Sequence, residues 1–169
     1  MEQEIVNRVE NSGLIQIDLE KFLPSSEEMM TIDFSQFLYE GIILREKDFR
    51  NQLKTFNFSD FKNKSVLILK SDDVIIPQWA IILLTVTLYT NEASFVYSGT
   101  HSDFSQQVLI NNLNNLDFSL FFDKRIIVKG CSNSVISINA YLHLIKLMQP
   151  IVKSIMYGEP CSTVPLYKK

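Results

Sequence analysis

Beyond residue 64 the chain alternates between short β-rich runs and segments long enough for a helix, and this pattern limits its fold more than any other feature. The runs are Val66 to Leu69, Ser94 to Tyr97, Arg125 to Lys129 and Ser154 to Tyr157, and the segments between them are Gln78 to Tyr89, Ser102 to Leu116 and Ser134 to Met148. Two strands joined by a crossover of a dozen or more residues run parallel, because a tight turn can only reverse direction. The pattern therefore predicts an α/β fold, a three-layer domain whose largely parallel sheet is built from strands near 66–69, 94–97, 125–129 and 154–157. All four strands would then end on one edge of that sheet.

The first sixty residues read differently. Glu2 to Glu10 places Ile5, Val6 and Val9 at helical spacing and stops at Asn11-Ser12-Gly13, residue types that end helices. Leu14 to Leu19 partly alternates and Met29 to Ile32 is a second extended run, which together suggest a short antiparallel element. Phe34 to Asn57 carries helical spacing with a break at Gly41. Val74 to Leu88 reads as a buried helix: Pro77, Gln78 and Trp79 interrupt it, and it is shorter than the roughly 20 residues of a membrane span. With no linker, low-complexity tract or internal repeat read, residues 1–169 are expected to form a single domain with no membrane association. Glu2, Glu4 and Arg8 stand where a signal peptide would be basic and then apolar, so the expected location is cytoplasmic and the cysteines are expected as thiols. A net charge of −3 argues against nucleic acid as a partner, because that affinity rests on phosphate neutralisation.

Ligands of open α/β sheets bind beyond the carboxyl ends of the strands. Those positions are Ser71-Asp72-Asp73, Ser98-Gly99-Thr100-His101, Gly130-Cys131-Ser132-Asn133 and Gly158-Glu159-Pro160-Cys161-Ser162. No GxGxxG or GxxxxGK[ST] loop is present to cradle a phosphate, and no GxSxG turn to hold a serine nucleophile. Cys131 and Cys161 each follow a strand, and thiolates on neighbouring strands can hold zinc or an iron–sulfur cluster, form a disulfide, or supply the nucleophile of a thiol enzyme. Simple packing near the sheet edge is the competing reading. Asp72 and His101, from the other two strand ends, are the candidates for completing a metal shell. His143 shares a helix face with Asn139 and Lys146 and is read as solvated. The run Arg45 to Arg50 is read as i,i+4 pairing on a solvated helix face, with an anion clamp by Arg45 and Arg50 as the alternative.

The tail Lys153-Ser154-Ile155-Met156-Tyr157-Gly158-Glu159-Pro160-Cys161-Ser162-Thr163-Val164-Pro165 closely resembles the C-terminal signature of a bacterial family catalogued as domain of unknown function 2480. Glu4 to Val9, Asn11 to Leu14, Leu44 to Arg50, Val74 to Trp79 and Val128 to Cys131 resemble that family as well. The resemblance implies a setting and no reaction. Genes of the family tend to lie beside those of the SUF iron–sulfur cluster assembly system, which implies an accessory or interaction role in cluster assembly or sulfur handling, with assembly proteins as partners. Cys131, Cys161, Arg45 and Trp79 fall inside matching segments, and His101 and His143 fall outside them. The contact surface implied is Glu159 to Pro165, with Glu159, Pro160, Arg45 and Trp79 as interaction residues. Two cysteines are an incomplete ligand set, so a stable cluster would need other donors or a homodimer supplying Cys131 and Cys161 twice.

Overall fold

Val66, Leu67 and Ile68 are consecutive and fully buried, which a strand achieves only when both faces of its sheet are covered. They belong to β3 (Ser65–Leu69), the middle strand of a parallel sheet in which it lies between β2 (Met29–Asp33) and β4 (Phe95–Ser98). On one face, Ile32, Val66 and Ile68 pack against Phe49 and Leu53 of α1 (Glu46–Thr55) and against Ala80, Leu84 and Leu88 of α2 (Gln78–Thr90). On the other, Leu67 meets Phe104 and Val108 from α3 (His101–Asn114). The first face is rich in phenylalanine. Phe34, Phe37, Phe49 and Phe56 contact one another with ring centroids 5.4–5.8 Å apart, the tilted and edge-to-face arrangements that the ring quadrupole favours. The computed structural model describes residues 14–71, 73–130 and 136–169.

These elements form one of two compact units, Pro24–Val108; the other joins Met1–Leu23 to Leu109–Lys169. In the second unit β1 (Leu14–Ile17), β5 (Arg125–Val128) and β6 (Ser154–Glu159) run parallel, and β7 (Ser162–Lys168) returns antiparallel on β6. Ile17, Ile126, Val128 and Ile155 form one core with Leu109 and Leu113 of α3 and with Ala140, Leu144 and Met148 of α4 (Ile138–Met148).

The α/β class, the largely parallel pairing and the positions of the four anticipated strands stand as the sequence indicates. The grouping does not. The four strands are divided between two sheets, β3 and β4 in one and β5 and β6 in the other. The segments expected to pair as a short antiparallel element instead lie parallel along different sheets, β1 on β5 and β2 on β3. The antiparallel pair is β6–β7, whose second strand contains Pro165; a sheet edge tolerates a proline because one side of its backbone needs no ladder bond. The helix expected over Glu2 to Glu10 lies outside the described residues. The two expected helices on either side of Gly41 are a 3₁₀ turn at Phe34–Phe37 and α1, and α2 is buried on one face only.

An internal repeat is present, contrary to the sequence reading. Phe49 and Leu53 recur sixty positions later as Leu109 and Leu113, Phe58 and Phe61 as Phe118 and Phe121, and Ala80 and Leu84 as Ala140 and Leu144, all buried except the partly buried Phe118. The turns recur too. The Asn57 side chain accepts the Ser59 N–H at 3.0 Å and Asp117 that of Ser119 at 2.9 Å. Asn63 and Asp123 both sit at positive φ, 59° and 54°, and donate their N–H groups to Glu92 and Ile151 at 2.8 and 2.9 Å. At the ends of β1 and β2, Asp18 and Asp33 accept from the N–H two residues on, at 3.0 and 2.8 Å. The repeat is carried by hydrophobic class and turn chemistry more than by identity, which is why it is hard to see in the letters.

Asn and Asp tolerate the left-handed region that β-branched residues avoid. Asp123→Gly and Asn63→Gly should leave stability within about 0.5 kcal/mol, whereas Asp123→Val and Asn63→Val should each cost on the order of 1–3 kcal/mol. Chemical denaturation of the full chain reads this, and equal losses for Gly and Val would contradict the backbone argument.

Candidate functional site

Ile17, Val128 and Tyr157 lie side by side on β1, β5 and β6, so the residues that follow them share the carboxyl edge of one sheet. Lys129 donates its backbone N–H to Ile17 at 2.8 Å and its ammonium to Asp18 at 3.0 Å. The other oxygen of Asp18 accepts the Glu20 N–H. Partial burial pushes the Asp18 carboxyl up, but the Lys129 ammonium, the Glu20 N–H and Lys21 together outweigh it and hold the group below its usual value. The hydrogen bond and charge of Asp18, with Glu159 and Glu20 adding their fields, raise Lys129 above the ordinary lysine range against a small desolvation penalty. A lysine raised in this way stays protonated near neutrality, so it serves as a fixed cation and not as an amine nucleophile. At the matching place in the other unit, Asp33 lies opposite Leu69, so this ion pair belongs to one unit alone.

The two units also part after a matched glycine. Gly99 leads into α3, where the Thr100 hydroxyl accepts the Asp103 N–H at 3.2 Å and donates to its carboxylate at 2.8 Å. Gly158 leads instead into a hairpin: Glu159 pairs with Ser162, leaving Pro160 and Cys161 as a two-residue tip. Gly158 has φ 121°, and a Cβ there would come within 2.5 Å of the Ser162 carbonyl oxygen, so only glycine fits. Cys161 is exposed at the tip. Beside the hairpin, Val128, Ile136, Tyr141, Leu142, Tyr157 and Leu166 line an apolar cavity of about 360 Å³. Tyr141 and Tyr157 meet edge to face, centroids 6.0 Å apart.

The division into two sheets also divides the anticipated site. Cys161, Glu159 and Pro160 lie on the edge just described, whereas His101 opens α3 in the Pro24–Val108 unit, so the expected single edge collecting all four strand ends is replaced by two. Asp72 and Cys131 lie outside the described residues. The structure does bring together the strands that lead to the two cysteines, since β5 and β6 are neighbours with Val128 opposite Tyr157. Among the described residues no group of three or more His, Cys, Asp or Glu is placed to hold a metal, so on the described chain Cys161 brings a single soft donor.

Arg45 and Trp79 belong to the Pro24–Val108 unit. The Arg45 guanidinium lies 3.3 Å from the Tyr39 ring centroid, and Trp79 packs against Phe49 at 6.1 Å with Arg50 at 5.8 Å. Arg50 pairs with Glu46 at 2.9 Å, the i,i+4 contact read from the sequence. His143 reaches Asn114 at 2.7 Å. Asp18, Lys129 and the apolar cavity escaped the sequence reading. Asp18 and Lys129 are 111 positions apart, and only the parallel pairing of β1 with β5 joins them. No helix among the described residues is long and apolar enough to cross a membrane.

The model of the family described as "Protein of unknown function (DUF2480)" matches residues 3–169. No curated protein and no solved structure matches the chain.

The ion pair sets a pH dependence. Because Asp18 is depressed when folded, its contribution is present above the ordinary carboxylate pKa and is lost as pH falls through the lower folded value. Because Lys129 is raised, its contribution is present below the ordinary lysine pKa and is lost as pH rises through the higher folded value. Asp18→Asn should therefore be less stable than the unaltered chain near neutral pH, and the gap should narrow as pH falls through the depressed folded-state value of Asp18. Urea unfolding from neutral pH into acid measures it; a gap that persists unchanged in acid would assign the loss to something other than charge.

Proposed function

The chain belongs to the DUF2480 family, and we propose that it is a non-enzymatic interaction factor in iron–sulfur cluster assembly or sulfur handling, docking an assembly protein at the β6–β7 hairpin. The observation that carries the docking part is the exposed Cys161 at a hairpin tip beside the cavity under Tyr157 and Leu166. A partner side chain can bury apolar area there while Glu159 attracts a flanking cation. The assembly setting comes from the family's association with cluster-assembly genes. Since Cys161 is exposed, a partner's thiol or persulfide has access to it.

A second reading is favoured by the adjacency of β5 and β6: Cys131 and Cys161 act as a pair, holding zinc or an iron–sulfur cluster or working as an enzyme's thiols. Zinc and clusters are bound by thiolates, so loading would release protons and weaken as pH falls. Glu159 and Asp18 lie at the same edge as oxygen donors, but no described set is complete.

Purified components of a SUF-type assembly system, titrated individually by calorimetry, test the first reading. One component should bind with a micromolar Kd, and Leu142→Glu or Leu166→Glu, both at exposed positions, should weaken that binding at least about tenfold by burying a charge in the groove. Absence of binding to every component, together with alkylation of either cysteine far faster than a free thiol at pH 7, would replace it with the thiol-enzyme reading. For the metal form of the second reading, anaerobically purified protein should contain zinc or iron that the paired Cys→Ser substitutions remove. Less than about one-tenth of an equivalent, with no uptake on reconstitution, would reject it.

A further inference from the structure

α2 is apolar on every side, and the fold uses only one of its faces. Ala80, Leu84 and Leu88 are fully buried against the sheet, while Trp79, Ile82, Val86 and Tyr89 are exposed, with Ile75 just ahead of the helix. The steps between these five residues are four, three, four and three, the spacing of a helix–helix seam. Their exposure runs from 38% at Trp79 to 95% at Ile75. A surface helix ordinarily carries polar residues on its outer face. The repeat supplies an internal control: α4 has the same alternation of buried and exposed positions and keeps Leu142 exposed as the counterpart of Ile82, but the counterparts of Trp79, Val86 and Tyr89 are Asn139, Lys146 and Gln149. The fold therefore does not require apolar residues at the Trp79, Val86 and Tyr89 positions of α2.

That face is also prepared to lose water. The hydroxyls of Thr85, Thr87 and Thr90 donate to the carbonyls of Ile81, Leu83 and Val86 at 2.9, 2.9 and 2.8 Å, so covering them leaves no donor unpaired. Tyr89 accepts the Val96 N–H at 3.2 Å and Trp79 rests against Phe49, so both rings are held before any partner arrives and lose little freedom on burial.

We propose that this face binds a second copy of the chain, with the two α2 helices antiparallel across a two-fold axis. The seam reads the same from both ends about Leu84: Trp79 and Tyr89 lie five residues to either side of it, Ile82 and Val86 two. An antiparallel copy therefore places Trp79 against the partner's Tyr89 and Ile82 against the partner's Val86, and each contact occurs twice, as an isologous interface requires. Gln78–Thr90 contains no charged residue, so two copies of the helix meet without charge repulsion between them. At roughly 150–250 Å² for each large side chain, the exposed fraction of the five residues amounts to about 450–750 Å² per copy. A standard interface buries about 800 Å² per partner, so the dimer is a reversible one in the micromolar range.

Sedimentation equilibrium of the full chain between about 1 and 500 µM should show monomer and dimer exchanging with a Kd on the order of 1–100 µM. Ile82→Glu and Val86→Glu should each raise that Kd at least thirtyfold while circular dichroism stays unchanged. If either variant unfolds, cross-linking decides: in a chain carrying Cys131→Ser and Cys161→Ser, the pair Ile82→Cys and Val86→Cys should form disulfide-linked dimers on mild oxidation. A wild-type chain that is monomeric up to 500 µM overturns the proposal, as do a dimer indifferent to both glutamates and a failure of the cysteine pair to cross-link.

Discussion

The structure depends on how closely one crossover helix can sit on three parallel strands. In each unit the seat is the same stripe, a small residue followed at four-residue intervals by two large ones: Ala80, Leu84 and Leu88 in α2, and Ala140, Leu144 and Met148 in α4, all with no exposed surface. Alanine at the head of the stripe lets the first turn approach the strands, and the two larger side chains that follow are fully buried in the same core. Much of the local geometry follows from that seat. The chain must turn back sharply before each central strand, which is where the left-handed Asn63 and Asp123 stand.

With the same unit built twice, the differences between the copies are more informative than either copy alone. Shared residues, the stripe, the capping aspartates Asp18 and Asp33 and the glycines Gly99 and Gly158, are explained by folding. The departures are not. Lys129 stands where Leu69 stands in the other copy, and it draws Asp18 into an ion pair. The chain after Gly158 forms a hairpin tipped by Cys161, whereas after Gly99 it forms α3. On the outer face, Trp79, Val86 and Tyr89 of α2 are apolar where their counterparts Asn139, Lys146 and Gln149 are polar. A lysine beside an apolar strand end and an apolar helix face left to water are not what folding alone favours.

Local patterns were legible because they report local physics. The apolar run Val66 to Leu69 and the alternation at Leu14 to Leu19 placed strands within a residue or two of β3 and β1. The helix-length segments placed α2, α3 and α4. Partnership was not legible. Whether β3 lies beside β4 or β5 depends on which segment completes each sheet, and the two that do so, β1 and β2, are too short to show a preference. Reading four strands as one sheet followed from that, and with it went the single edge bearing His101 and Cys161. The helix face of α2 was misjudged for a related reason: a helix apolar all round is ordinarily a buried one, and composition alone cannot say that half of it is exposed.

The edge that carries Cys161 also separates groups that are fixed from one that can change. Asp18 and Lys129 lock each other into their charged forms, because the depressed carboxyl and the raised ammonium move their titrations away from neutrality in opposite directions. That pair can orient a neighbour or repel one, but across the physiological range it cannot switch. Pro160 restricts the backbone that presents the tip, and Gly158 supplies the positive φ that the turn into it needs. Among the described groups there, the thiol of Cys161 is the one that oxidation, a persulfide or a soft metal can alter. Among the described residues of this edge, reversible chemistry of that kind is open to Cys161, on a surface where the Asp18–Lys129 pair and the Gly158 turn are set by folding.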